Sequence, residues 1–486
     1  MSVNPLRELA EHSRSIRVVV IGAGIAGLVA AWECAKVGMQ VVLLEASAGA
    51  GGVLGQAEVA GVTLDVGPDS FAPSVAALAR ELGLEPTPIA EDSVWISGLS
   101  VGAVPLPDAT LAGIPENAWD ESVRRIIGWG GAWRAYLDRI RPPLTIGQQR
   151  SLGALVRSRM GTTVHDRMVA PLAVGRFGVG PDEVDVEALA PGLGAGLTRT
   201  GSLGAAVATQ RGTEPALQGV PGGLGMLVAA ITDRLAELGA ELRCGARVRE
   251  ITPGEHWRIV LEDDPAEALT ADAVIVATDE AAARGLLQNL GEIAPAPGRT
   301  ADDPAVDPAV EVITLVVQSP ALSSHPHGAA TYPIPGTSTA RSVLDATARW
   351  GWLRAEVRDR LGPDIHVLRV TIPASALADS DDRDAYSLAL AEASAMLGSP
   401  LADTNLRGAH RASFTLTRPA SVLGHADAAA ETRAALAEHP RLAVVGSWLA
   451  GSGLAQTIPD AVAHADHIRH ETLWGEPADA GNGIYD

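Results

Sequence analysis

The segment Gly22-Ala23-Gly24-Ile25-Ala26-Gly27 constrains this chain more than any other. Four β-branched residues, Val18, Val19, Val20 and Ile21, precede it, as in a strand buried on both faces. Leu28, Ala31, Trp32 and Ala35 follow at helical spacing, and Gly38 is the stop. A second buried run, residues 41–44, ends at Glu45. Strand, turn, helix and strand within so short a stretch predict a βαβ unit. In such a turn Gly22 permits the bend, Gly24 lets the backbone approach a diphosphate, and Gly27 lets helix and strand pack closely. The N–H groups that open the helix face the negative charge. Glu45 stands where a carboxylate can accept from ribose hydroxyls, and a carboxylate rather than an arginine there disfavours NADP. The segment predicts dinucleotide binding.

The rest of the composition bounds the surroundings. At 486 residues the chain has length for about two to four domains. A hydrophobic share of 47% with 20% charged residues is a globular balance. The 37 cationic against 58 acidic residues leave a formal charge of -21, which opposes nucleic acid and anionic membrane surfaces. Lys36 is the only lysine. Two cysteines, Cys34 and Cys244, make neither a disulfide framework nor a zinc site. Neither a signal-peptide core nor a membrane-spanning apolar run stands out, so the expectation is a soluble, cytoplasmic protein.

Along the chain, apolar stripes at spacings of three and four predict helices across residues 120–204, and Trp129 and Trp133 read as core of that helical region. Residues 224–238 predict a helix, 241–251 with 258–261 a strand pair, and 273–277 a buried strand. A Pro- and Asp-rich stretch, residues 294–308, reads as a linker. Strands follow at 312–317, 367–372 and 442–445, with helices at 384–397 and 459–470. His464, His467 and His470 read as a solvated helix face and His325-Pro326-His327 as a loop, so no metal site is expected.

Further motifs carry a resemblance. Glu45 is followed by Ala46 and then Gly51-Gly52-Val53, which resembles the FAD-dependent amine oxidase and porphyrinogen oxidase superfamily. There a Gly-Gly pair crosses near the flavin diphosphate, and Val53 stands where Arg or Lys often follows. Asp65-Val66-Gly67-Pro68-Asp69-Ser70-Phe71 is similar to the loop that lies against the isoalloxazine. Asp166 to Leu172, Gly175-Arg176-Phe177-Gly178 and Pro181 to Val184 look like the helical-domain signature of protoporphyrinogen and coproporphyrinogen oxidases. Val220 to Leu227 looks like the return into the FAD domain. Gly446, Gly451-Ser452-Gly453-Leu454 and Ile458 resemble the closing flavin motif.

The resemblance implies an α/β fold with a Rossmann-like FAD-binding domain, an antiparallel-sheet substrate domain and a helical lobe. It divides the chain into FAD-binding parts at 15–85, 211–295 and 426–475, substrate parts at 86–115 and 296–425, and a lobe at 116–210. It places FAD against Gly22, Ala23, Gly24, Ile25, Ala26, Gly27, Glu45, Ala46, Gly51, Gly52, Val53, Gly67, Pro68, Asp69, Ser70, Val248, Phe414, Gly446, Ser452, Gly453 and Leu454. Arg176 would offer a fork to a propionate and Phe177 a ring to a pyrrole face. The implied reaction is the oxygen-dependent six-electron oxidation of coproporphyrinogen III to coproporphyrin III in haem biosynthesis, releasing hydrogen peroxide. No catalytic acid–base pair is assigned, because aromatisation drives the reaction and the protein binds, orients and shields. Dioxygen, a tetrapyrrole and a ferrochelatase that takes the product are the implied partners, with at most peripheral membrane contact.

This chain departs from the family pattern at several points. Ser413-Phe414, Pro419-Ala420-Ser421 and Gly424-His425 stand where the family has Arg-Trp, Pro-Gln-Tyr and Gly-His. Ser93 replaces a basic residue, and Arg176 stands where the family is usually apolar. Protoporphyrinogen IX oxidation, an amine oxidase, a carotenoid-type desaturase and a non-catalytic FAD- or tetrapyrrole-binding protein are the alternatives. Lys36 argues against an amine oxidase, since it lies on the helix after the glycine turn and cannot hold a water at the flavin.

Overall fold

The computed structural model describes residues 5–141, 150–210, 216–263, 268–290 and 309–475. The stretch read as a linker, residues 294–308, lies outside the described residues.

A five-stranded parallel sheet forms in the order Glu241–Cys244, Gln40–Glu45, Arg17–Ile21, Ala273–Val276, Leu442–Val444. Its strands come from distant parts of the chain, because parallel neighbours need crossovers. Side chains alternate between its two faces. Val18 and Val20 join the helices Ile25–Lys36, Gly225–Glu237 and Leu454–Trp474 in one core. Val19 and Ile21 face a second core under the three-stranded sheet of Val248–Thr252, Trp257–Leu261 and Ala268–Ala271. Both faces are therefore covered, which is why these strands read as unbroken apolar runs.

Two elements differ from expectation. The predicted strand 241–251 is broken at Gly245, whose φ of 72° turns the chain. Its first half becomes the edge of the parallel sheet, and its second half pairs with Trp257–Leu261. The last helix is longer than predicted, Leu454–Trp474, and contains Pro459. Its buried stripe of Leu454, Ile458, Ala461, Ala465 and Ile468 runs at spacings of four and three straight past the proline.

The second large sheet has seven strands, in the order Leu406–Thr415, Ala309–Gln318, Ile365–Pro373, Ser342–Asp345, Ala330–Pro333, Val94–Ser97, Val104–Pro105. It is antiparallel save for one parallel contact, between Ala330–Pro333 and Val94–Ser97. One face, with Ile313, Leu315, Leu368 and Val370, packs on the helix Asp382–Leu397. The alternate positions Val310, Val312, Arg369 and Thr371 face a cavity. The helices Glu121–Tyr136, Leu152–Arg159, Ala170–Phe177, Leu193–Thr200 and Leu203–Gln210 share one core, which reaches Ile96, Ala330 and Tyr332 of this sheet.

Trp129 and Trp133 are not core. They are 70% and 59% exposed, and Tyr136 and Ile140 continue the same outward stripe. The inward side carries Val123, Ile126, Ile127, Ala132 and Ala135. A spacing of four places two residues on one face without saying which way that face points. Gly128, at φ 70°, breaks the helix between the two halves. Among the described residues no helix is long and apolar enough to cross a membrane. Trp129→Ser and Trp133→Ser should each cost under about 1 kcal/mol. Ile126→Ala, at a fully buried position, should cost about 2–5 kcal/mol. Urea unfolding of the three variants checks the contrast.

Candidate active site

The three glycines of the turn are required for different reasons. Gly22 has φ 101°, and a Cβ there would lie 2.6 Å from the carbonyl oxygen of Ala277. A Cβ on Gly27 would lie 1.9 Å from the carbonyl oxygen of Gly22. Both are fixed by protein packing. Gly24 has an ordinary φ of -69°, and a Cβ there meets nothing within 4 Å. Its glycine is therefore not demanded by the protein itself. It faces open space where a ligand backbone can approach.

Glu45 closes the turn. Its Oε2 accepts from Ala23 N at 2.7 Å, and its Oε1 accepts from the backbone N–H and hydroxyl of Ser47 at 2.8 and 2.7 Å. Gly51, at φ 119°, donates its N–H to the Ala23 carbonyl at 2.8 Å, which ties the Gly-Gly pair to the first turn. Gly67 comes so close to Val53 that a Cβ would lie 2.0 Å from its carbonyl oxygen.

Two cavities meet beyond this turn. The larger, of about 1120 Å³, runs from the glycine turn to the start of the last helix. Of the residues singled out for FAD, Gly22, Gly24, Ile25, Ala26, Glu45, Ala46, Gly52, Val53, Pro68, Ser70, Val248, Phe414, Gly446, Gly453 and Leu454 line it. Ala23, Gly27 and Gly51 sit behind its wall and shape it. Gly67, Asp69, Ser452 and Arg176 line the second cavity, of about 730 Å³. Val53, Pro68, Phe177, Phe414 and Gly453 belong to both, so they form the seam. Phe177 also packs on the edge of the helical core.

Sequence reasoning missed several lining residues. Arg247, Arg284 and Arg418 line the larger cavity, paired with Glu262, Glu280 and Glu183 respectively. Thr278 and Asp279 line it too, just past the strand Ala273–Val276. Position at the carboxyl end of a central parallel strand was the available signal. In the second cavity Arg341, Arg349 and Arg369 were missed. Arg341 precedes the strand Ser342–Asp345, Arg349 ends the short helix that follows it, and Arg369 lies on Ile365–Pro373, the strand paired with Ser342–Asp345.

Asp69 is the electrostatic centre of the seam. Its carboxylate lies 2.6 Å from Arg369 Nη2 and 3.4 Å from Arg349 Nε, and it accepts from Trp350 Nε1 at 3.0 Å. Arg369 also donates to the Gly67 carbonyl, and Arg349 Nη2 donates to Ser70 Oγ at 2.9 Å. Burial alone would raise the Asp69 pKa, but the Arg369 and Arg349 guanidiniums overcome it and hold the carboxyl below the usual range. The sole lysine is elsewhere. Lys36 pairs with Glu33 at 2.7 Å and Glu81 at 3.0 Å and lies over Trp32, lining neither cavity.

The profile of the family described as flavin containing amine oxidoreductase matches residues 25–467. The chain belongs to that family. Its cofactor is FAD, and the open face at Gly24, the tethered Glu45 and the long cavity fit that group. A coproporphyrinogen III oxidase of Propionibacterium freudenreichii is 27% identical, covering 95% of this chain and 92% of that protein. One from Mycobacterium bovis is 28% identical over 90% of this chain and 93% of its own length. A solved structure of a protoporphyrinogen oxidase-like protein from Exiguobacterium superposes with a TM-score of 0.79 at 21% identity, covering 94% of this chain and 99% of that one. At that identity the likeness speaks for the fold. The chain is thus a flavin-dependent oxidoreductase of the family whose fold its sequence resembles.

Gly24→Ala should leave the apoprotein melting temperature unchanged while weakening FAD binding by about tenfold or more. Calorimetry on apo and FAD-loaded protein separates the two effects, and a lower apo Tm would contradict the reading. Asp69→Asn should cost about 3–5 kcal/mol by leaving buried Arg369 unpaired. Because the folded pKa of Asp69 is lowered, its stabilisation is present above the unfolded carboxyl value, about 3.9, and is lost as pH falls through the folded value. Acid unfolding of wild type and variant should therefore converge at low pH.

Proposed function

We propose that this chain oxidises coproporphyrinogen III to coproporphyrin III at FAD, with dioxygen as the electron acceptor. The observation that carries this reading is the second cavity. It adjoins the flavin cavity through a shared seam, has apolar walls and is set with four arginines. Leu172, Val174, Phe177, Val310, Val312 and Leu344 supply the apolar surface. That combination suits a macrocycle with greasy faces and a carboxylate rim. The names of the curated relatives agree with it.

The arginines have different duties. Arg349 and Arg369 are committed to Asp69. Arg176 makes no ion pair among the described residues, and its guanidinium rests on the Phe177 ring at 5.7 Å. It is the cation with its fork available to a propionate. Phe177 and Phe414 at the seam are placed to hold the ring face. The family departures at Ala420 and Ser421 line neither cavity. Ala420 instead packs against Gly451, where an added Cβ would lie 2.5 Å away. Their loss therefore bears on the joint between elements rather than on substrate anchoring.

Bound FAD supplies the acceptor for a hydride from a meso carbon and the route from there to dioxygen. Three such rounds remove six electrons, so one porphyrinogen and three dioxygen molecules give one porphyrin and three hydrogen peroxide. The protein's share is to exclude water, hold the macrocycle at the seam and receive its carboxylates. Transfer of the product to a ferrochelatase and a cytoplasmic setting belong to the same reading.

The purified FAD-loaded protein should produce porphyrin fluorescence from coproporphyrinogen III aerobically, with peroxide in equal step to dioxygen consumed. A rate no faster than autoxidation at full flavin occupancy would sink the proposal. Arg176→Ala should raise KM about tenfold with kcat nearly unchanged, the signature of lost uniform binding. Arg176→Lys should recover only part, since an ammonium lacks the fork.

A further inference from the structure

We propose that His325, Asp345 and His366 form a binding site for a divalent transition-metal ion of the zinc class. They come from three places in the chain. His325 lies on the loop after the turn Pro320–Leu322, Asp345 ends the strand Ser342–Asp345, and His366 opens the strand Ile365–Pro373. His325 Nδ1 lies 2.9 Å from Asp345 Oδ2, and His366 Nδ1 lies 3.9 Å from the same oxygen. One ligand atom from each residue lies within 4.8 Å of the other two. Zinc bonds of about 2.0–2.2 Å hold neighbouring ligand atoms roughly 3–3.5 Å apart, so modest side-chain rotation closes the set. Two imidazoles and a carboxylate are a donor set that zinc accepts, with a fourth position left for water.

The surroundings are those of a site rather than of a chance polar contact. Asp345 Oδ1 is already held, accepting from Ala348 N at 2.9 Å and from Thr347 Oγ1. That leaves Oδ2 for the two rings and fixes its direction, as outer hydrogen bonds do for metal-bound carboxylates. His366 is 4% exposed; among the described residues its Nε2 has no hydrogen-bond partner, and its Nδ1 has long contacts with Thr347 Oγ1 at 3.5 Å and Asp345 Oδ2 at 3.9 Å. A buried imidazole is ordinarily satisfied. An ion between the two rings would take one nitrogen from each together with Asp345 Oδ2. His325, on its loop, is the most exposed of the three, with 14% of its side chain open to solvent.

None of the three residues lines either cavity, so the ion's role is structural. Asp345 also caps the short helix Ala346–Arg349, and Arg349 reaches Asp69 and Ser70 at the seam. The ion would brace the turn that carries that arginine.

The test uses full-length, FAD-loaded protein stripped with a chelator and titrated with Zn2+, then with Co2+ as a coloured probe. The expected result is about one ion per chain and visible cobalt bands. His325→Ala and His366→Gln should each weaken Zn2+ binding by about 100-fold, with the flavin spectrum reporting that the fold survives. His256→Ala, which removes the exposed histidine paired with Asp272 at 2.9 Å, should change nothing. Absence of stoichiometric uptake at micromolar Zn2+ would overturn the proposal. So would uptake unchanged in both ligand variants, or uptake lost instead in His464→Ala on the last helix.

Discussion

The carboxylate of Asp69, buried between Arg369 and Arg349, joins two bodies of structure that the chain builds separately. Asp69 sits on the loop that leaves the strand Val62–Asp65. Arg369 belongs to the centre of the seven-stranded sheet. The loop must lie flat, because Gly67 presses on the Val53 backbone. An ion pair taken out of water stabilises only when its geometry is good and its remaining donors are used. Here Arg369 also reaches the Gly67 carbonyl and Arg349 the Ser70 hydroxyl, while the Nε of each guanidinium has no hydrogen-bond partner among the described residues. The seam between the two cavities inherits its shape from this contact.

The charge balance takes on a sharper meaning beside this network. A chain at -21 does not draw a polycarboxylate from afar. Its second cavity gathers Arg176, Arg341, Arg349 and Arg369 against Asp69, Asp92 and Asp108. Two of those cations are committed to Asp69, and Arg176 makes no ion pair among the described residues. On the proposed reading, recognition is local, with short range set by screening and by the walls of the cavity. The sole lysine, bound to Glu33 and Glu81, takes no part.

Local motifs exposed most of the cofactor side. Strand, glycine turn and helix are contiguous in sequence, so their chemistry is legible without any tertiary knowledge. Gly22, Gly24 and Glu45 line the larger cavity, and Gly27 packs against the Gly22 carbonyl behind it. The broken strand at Gly245 and the helix running through Pro459 were not legible. In the first a single left-handed residue changes partners, and in the second a buried stripe outweighs a proline. Trp129 and Trp133 show the same limit, since periodicity defines a face but not its direction.

By itself the sequence determined the nucleotide-binding turn, the family and hence FAD, and the layered α/β character, because each rests on residues close in the chain or on periodicity. Only the tertiary structure decided which arginines converge on the second cavity and which of them Asp69 has already claimed. It alone brought His325, Asp345 and His366 within reach of one another. Within each set, and apart from Arg341 and Arg349, those groups lie tens of residues apart, on or beside strands whose order in the sheet does not follow their order in the chain. Their meeting is a consequence of strand pairing and closure, which no local spacing encodes.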